Sequence, residues 1–419
     1  MRYVLRILSL VLCALLLLPL FGGCGFVSGI SLAASGEAEI GIVLPAAPSA
    51  QVLYARDRFT HFLKNEIGIT PAEDTASCKY RLLLGNTGDA KSEELSATLG
   101  ENTFAMRVMG KDLVVVATND AFLYDAIARL LQEDGLVKLN RKRTRMRIPS
   151  RLDYAGEGDL TSLRYLFTQG DVLKSTATHY MDLASPEGLG TEQGGCFDGT
   201  YYYQAFVKRH SASNERDNVV RIGKFDYKTK ALVAYSEEMA LNHANDITYD
   251  AKKGELYVAH NNPNRTRVSV LCAETMELLR SVEIEDRIYG ISYCAARDRF
   301  AVALSDSQNT RVLEADLSRA DDKIFQGTEL TARYTTQGIC SDDTFIYHVL
   351  WDAAYRNKSG FQNVITVYDW YGNFVGRINI TIGIIEPENI SVGADGRLLV
   401  VAAGKNGGAL YEICPTGIQ

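Results

Sequence analysis

Four carboxylates, Glu192, Asp246, Glu386 and Glu388, stand at matching points of a repeating pattern. Aligned on Cys196, Ile247, Ile291, Ile339 and Ile390, the position four residues earlier holds Glu192, His243, Arg287, Thr335 and Glu386. Two residues earlier come Gly194, Asn245, Tyr289, Gln337 and Glu388. One residue earlier come Gly195, Asp246, Gly290, Gly338 and Asn389. His260, Asn261, Asp306 and Trp351 follow the partner segments. Turns draw on Gly, Asn, Asp and Ser; they do not ask for His243, Arg287, Tyr289 or Glu386. Convergent polar and aromatic groups of this mixture suit a ligand site. Asn245, Gln337 and Arg287 would bond hydroxyls or carboxylates, with His243 and His260 beside them, and Tyr289 and Trp351 would stack on sugar faces. Paired carboxylates also carry out glycoside hydrolysis, so the four acids are catalytic candidates, with His243 as auxiliary acid or base. The same oxygens make Ca²⁺ the metal to weigh, although neither EF-hand nor HExxH spacing is present. Asp246 and Asn389 are equally suited to satisfying backbone amides at a strand start.

The elements that position these residues repeat. His243 to Asn262 reads HANDITYDAKKGELYVAHNN: polar start, short strand, Asp/Gly turn, second strand, polar exit. Four more copies occur, and the anchors Cys196, Ile247, Ile291, Ile339 and Ile390 lie 51, 44, 48 and 51 residues apart. A second hairpin stands between copies, as at Val268 to Cys272 and Leu278 to Ile284. Four strands per unit at this spacing predict propeller blades. The last copy ends one strand short, so Leu163 to Phe167 is the candidate strand to close the ring. Residues 160–419 are therefore expected to be an all-β five-bladed β-propeller, which resembles the bacterial NHL-like propellers. Residues at the strand starts and exits would surround one mouth of its central channel.

Residues 38–137 read differently. Strands at Ile40 to Leu44 and Tyr80 to Leu84 flank a helical spacing of Val52, Ala55, Phe59, Phe62, Leu63 and Ile67. Phe104 to Val108 and Leu113 to Ala117 form a hairpin, and Asn119 can cap a helix carrying Phe122, Ala126, Ile127 and Leu130. This predicts a small α/β domain. The runs YRLLLGNTG and TFAMRVMGKDLVVVATNDAFLYDAIARLL resemble the accessory N-terminal domain of glycoside hydrolases such as hexosaminidases and α-glucuronidases. The sequence has Thr103-Phe104 for that family's Gly-Tyr pair. The resemblance implies a carbohydrate-related setting and no active site, because that domain is not catalytic and the expected catalytic barrel does not follow. Residues 138–159 are expected to be a linker or edge strand, with a basic run of Arg141, Lys142, Arg143, Arg145 and Arg147.

Residues 1–34 read as an export signal: Arg2 and Arg6, then an apolar run at Val11 to Leu20. Phe21-Gly22-Gly23-Cys24 resembles a bacterial lipobox, which implies lipidation at Cys24. Cleavage near Ala33 or Ala34, or an uncleaved anchor helix, are the alternatives. The formal charge of −7 argues against a nucleic-acid partner. Eight cysteines without CxxC or Cys/His metal spacing predict free thiols rather than a zinc site. The expectation is a lipid-anchored protein on the outer side of a bacterial cell membrane, or a secreted one, whose propeller mouth binds an extracellular polysaccharide or cell-wall polymer without a cofactor. A glycoside hydrolase or lyase, and a protein-interaction scaffold, are the competing readings.

Overall fold

The computed structural model of the protein describes residues 29–34, 36–72, 78–132, 136–140, 142, 144–208, 219–305, 309–325, 333–383, 385–393, 395–403 and 408–419. The part before residue 29 of the stretch read as an export signal, with Cys24, lies outside the described residues, as does Asp306. The chain is mostly β and divides into two compact units after Gly158.

The first unit holds two sheets. Strands β1 (Gly29–Ala34), β2 (Glu37–Ala38), β7 (Lys138–Leu139) and β8 (Met146–Pro149) form one, in the order β2-β1-β8-β7. Strands β3 (Ile40–Val43), β4 (Tyr80–Leu84), β5 (Thr103–Met109), β6 (Asp112–Ala117) and β9 (Asp153–Glu157) form the other, in the order β3-β4-β6-β5-β9. Helices α1 (Ala50–Ile67), α2 (Ala90–Ser96) and α3 (Ala121–Leu131) join its strands. In α1 the Ser49 hydroxyl accepts the Val52 N–H at 3.3 Å, and Gly68 ends the helix at φ 70°, a left-handed cap. Its buried face is Val52, Tyr54, Ala55, Asp57, Phe59 and Leu63. Gly29–Ala34, inside the stretch read as signal, is a strand with Ile30, Leu32 and Ala33 buried. Within residues 138–159, β7 and β9 are edge strands of the two sheets, and β8 lies between β1 and β7.

The second unit is a β-propeller region. Its first sheet is β11 (Leu189–Phe197), β12 (Tyr201–Lys208), β13 (Val220–Asp226) and β14 (Leu232–Tyr235). The second is β15 (Asp246–Asp250), β16 (Glu255–Ala259), β17 (Arg267–Cys272) and β18 (Leu278–Glu283). The third is β19 (Ile288–Cys294), β20 (Arg299–Leu304), β21 (Thr310–Glu314) and β22 (Arg319–Phe325). An eight-stranded sheet completes the region. One half is β23 (Thr335–Ser341), β24 (Phe345–Trp351), β25 (Asn363–Asp369) and β26 (Phe374–Ile380). The other is β27 (Pro387–Val392), β28 (Leu398–Ala402), β29 (Gly408–Ile418) and β10 (Val172–Leu183). The first strands touch in the order β11, β15, β19, β23, β27, and β27 returns to β11. Apolar faces pack between neighbouring sheets, for example Val207, Ile222, Ile247 and Val258 between the first and second.

Asp residues set the turns between first and second strands. Asp198 Oδ1 accepts the N–H groups of Thr200 and Tyr201 at 2.7 and 2.6 Å, and Asp342 Oδ1 accepts those of Thr344 and Phe345 at 2.7 Å each. The Tyr203 and Tyr347 hydroxyls donate to the other oxygen of these two carboxylates, at 2.9 and 2.6 Å.

The closing strand is not Leu163 to Phe167. That segment is helix α4 (Leu163–Gln169), because the Ser162 hydroxyl accepts the Tyr165 N–H at 3.2 Å and caps it. Closure falls to β10, antiparallel to β29 and parallel to β26 over Val172 to Lys174. Leu173 is fully buried where both ladders meet. Leu173→Ala is therefore expected to lower the unfolding free energy by about 2–4 kcal/mol, and Tyr165→Ala by under about 1 kcal/mol, both read by denaturant unfolding.

Candidate functional site

The aligned positions acquire their geometry from a repeated β-bulge. The ladder slips between Ile288 and Gly290, between Thr336 and Gly338, and between Pro387 and Asn389. The extra residues are Tyr289, Gln337 and Glu388, the members of the position two before the anchor. A fourth slip lies between Glu192 and Gly195. In the second sheet β15 begins at Asp246, and the Asn245 N–H bonds the Ala259 carbonyl just beyond the ladder, at 2.9 Å. A bulge takes a side chain out of the in/out alternation and re-aims it. The residues one step further on then crowd together. A Cβ on Gly290 would stand 2.7 Å from Asp246 Oδ2, and one on Gly195 2.5 Å from Asn389 Nδ2, so only glycine fits.

Asp246 and Asn389 fill the space those glycines leave. Asp246 is fully buried; its Oδ1 accepts the Ile247 N–H at 3.0 Å, and its Oδ2 those of Ile291 and Ile339 at 3.1 Å each. Burial pushes this carboxyl well above the usual carboxylate range, against the pull of the three amides. Asn389 donates to the Gln193 carbonyl at 3.1 Å and accepts from the Tyr202 hydroxyl at 3.0 Å. Asp246 is thus sealed in a backbone network rather than offered to a ligand. Past this level a cavity of about 80 Å³ is lined by Phe197, Thr248, Ser292, Cys340 and Ser391, among others.

On the other side of that plug the bulge residues meet. The Tyr289 hydroxyl donates to Gln337 Oε1 at 3.1 Å, and Gln337 Nε2 donates to Glu386 Oε1 at 2.5 Å. Gln193 Nε2 donates to Glu388 Oε2 at 3.3 Å. Asn245 Nδ2 donates to the carbonyls of Tyr289 and Gln337 at 3.0 and 3.3 Å, and its Oδ1 accepts from Asn261 at 3.1 Å. Glu192 and Glu388 are buried and Glu386 is half-buried. Burial, then the charges of Glu386 and Glu192, push the Glu388 carboxyl well up. Glu386 is pushed up by burial, offset by the Gln337 hydrogen bond and the Arg356 charge. Burial and these carboxylates raise the Tyr289 phenol further. The site is a set of acceptors and amides around a carboxyl whose pKa is pushed up.

Other candidates lie elsewhere. His260 is 1 % exposed, its ring between Asn242 Oδ1 and the Ser269 hydroxyl at 2.7 Å each, and burial pushes its pKa down to about 4. It is a neutral packing histidine inside the second sheet, closed to a ligand. His243 is half-buried and gives its N–H to the His260 carbonyl at 3.1 Å. Arg287 is exposed, and Trp351 is half-buried opposite Thr335. Two contributors escaped the alignment. Gln193 takes the place assigned to Gly194, because the β11 bulge shifts the side chain one residue back. Arg356 has no counterpart in the other repeats. Among the described residues no group of three His, Cys, Asp or Glu side chains is placed to hold a metal ion. Cys196, Cys294 and Cys340 are buried free thiols.

No protein-family model matches the chain, and no curated protein matches it. Solved structures do. The chain is similar to Myxococcus xanthus glutaminyl cyclase, at 13 % identity and a TM-score of 0.42, over 58 % of this chain and 97 % of that one. It is similar to a luciferin-regenerating enzyme, at 12 % identity and a TM-score of 0.37, over 58 % and 97 %. It is also similar to the Neurospora crassa Pan2 WD40 domain, at 11 % identity and a TM-score of 0.31, over 58 % and 97 %. No residue role or activity passes from them to this chain.

The Glu388 environment has a measurable consequence. Its folded-state pKa is raised above 4.5, so its share of stability is full below that value and is lost as pH rises through the folded pKa. Glu388→Gln keeps the shape of the protonated carboxyl. Its melting temperature is expected to match the wild type near pH 4 and to exceed it increasingly above about pH 4.5; a pH-independent gap would contradict the assignment.

Proposed function

We propose that this is an exported protein, tethered through a lipid on Cys24, whose second unit is a five-bladed propeller that binds an extracellular glycan or cell-wall polymer at its bulge-lined mouth. The first unit, by this reading, is a small α/β domain akin to hydrolase accessory domains. The observation that carries the binding role is the convergence of Tyr289, Gln337, Glu386, Glu388 and Gln193 from neighbouring sheets, hydrogen-bonded across the ring. A purely structural bulge ring needs no such side chains. Carboxylate and amide acceptors suit ligand hydroxyls, and Tyr289 and Trp351 supply aromatic surface. The start of β1 at Gly29 favours processing at Cys24 over cleavage near Ala33 or Ala34, which would remove a buried strand.

A second reading rests on one specific feature. Burial and the charges of Glu386 and Glu192 push the Glu388 carboxyl up, and a carboxyl of raised pKa next to a second carboxyl is the pairing that glycoside hydrolysis uses.

A glycan-array screen of the full chain, followed by calorimetric titration of any hit, tests both readings. The binding reading expects Glu386→Gln and Gln337→Ala each to weaken retention by about tenfold or more, with one ordinary charged or bidentate hydrogen bond lost. Unchanged affinity in both variants, or the absence of any glycan hit, would overturn it. Release of reducing ends that disappears in Glu388→Gln would move the assignment to hydrolysis.

A further inference from the structure

We infer that the outer face of the β7–β8 pair docks on an anionic lipid surface; the inference rests on the Cys24 tether of the proposed function. Lys138 lies directly opposite Arg147 in that ladder, and Arg147 lies opposite Ser31 on its other side. Met146 and Ile148 face inward and are fully buried, so Arg147 alternates outward, with Lys138 beside it. Like charges directly opposite each other across a ladder are unfavourable. Proteins ordinarily relieve such a pair with an acid. Here Lys138, Lys142, Arg145 and Arg147 are all exposed, and among the described residues none of them makes a salt bridge. Glu37, the acid in this sheet, is on β2, at the edge away from β7. Arg145 is held at the foot of β8, where Asn140 Oδ1 accepts the N–H groups of Thr144 and Arg145 at 2.8 and 2.9 Å.

Chain length selects the occupant. Only residues 25–28 separate Cys24 from β1, a reach of about 17 Å at full extension. β1 is the strand that β8 pairs with, so a lipid on Cys24 would hold this basic face within about two Debye lengths of the headgroups at physiological salt. A chain of net charge −7 is otherwise repelled by an anionic bilayer, and this unpaired basic patch is where attraction can act.

The test uses the full chain, purified from bacterial membranes with the anchor the cell gives it and reconstituted into vesicles. One set is phosphatidylcholine alone; the other contains about 30 % phosphatidylglycerol. Trypsin cleavage after Lys142 and Arg145 is followed by mass spectrometry. Cleavage is expected to be at least about fivefold slower in the anionic vesicles, and protection should vanish in about 0.5 M salt and in Lys138→Glu/Arg147→Glu. Lys138→Glu alone serves if the double variant has a lowered melting temperature. Equal rates in the two vesicle types would overturn the inference. So would protection that survives charge reversal, or protection seen only on adding a polyanionic wall polymer. The tether is read separately, from the mass of the N-terminal peptide in the wild type and in Cys24→Ala. A lipidated chain without protection sinks the docking face alone, and an unlipidated chain with protection sinks the tether alone.

Discussion

Three backbone amides from three different sheets, those of Ile247, Ile291 and Ile339, converge on the carboxylate of Asp246. The first strands of a propeller approach one another at their starts, where their amides point toward the axis with no strand left to pair with. A buried N–H without an acceptor costs about 1–3 kcal/mol. One carboxylate settles three of them, and Asn389 ties β27 to the first sheet through Gln193 and Tyr202. Together the two side chains tie every first strand of the ring to another. They are possible only because Gly195, Gly290 and Gly338 leave the room. Three glycines, an Asp and an Asn at one aligned position are a single packing solution.

That plug decides what the mouth can be. It fills the axis at the level of Asp246 and Asn389, one residue beyond the bulge side chains. Each bulge inserts one residue ahead of the plug. The inserted side chains of Tyr289, Gln337 and Glu388 would otherwise alternate into the apolar space between sheets, where a carboxyl or an amide would be costly. Turned toward the axis, they satisfy one another. Glu388 has an amide donor in Gln193, but two acids, Glu386 and Glu192, also stand near it, and burial with their charges pushes its carboxyl up.

Much of this was legible in the sequence where local chemistry decides. The period of Val52, Ala55, Phe59 and Leu63 gave helix α1, and all four are buried. The Asp/Gly turns marked each hairpin because Asp198 and Asp342 hold their turns through their own side chains. What depends on distant partners was not legible. β10 is polar along much of its length and has no repeat mate; its strand character comes from β29 and β26. Leu163 to Phe167 looked like a strand until Ser162 capped it. Gly29–Ala34 continues the apolar composition of the stretch read as a signal, and its strand character comes from pairing with β8 and β2. At the site, alignment found the bulge residue in three first strands, β19, β23 and β27, but missed Gln193, since a one-residue slip in β11 does not show in spacing. His260 was misplaced for a similar reason: its partners, Asn242 in the turn before β15 and Ser269 on β17, draw it inward.

The measurement that bears most directly on this account is the unfolding free energy of Asp246→Ala, compared with that of Asp395→Ala in a solvent-exposed turn. If the axial carboxylate organises the ring, removing it strands three buried amides and should cost about 3 kcal/mol or more, against about 1 kcal/mol or less for the control. A cost for Asp246→Ala no larger than for the control would mean that the sheets hold the ring by their apolar faces alone, and the mouth would lose the constraint that shapes it.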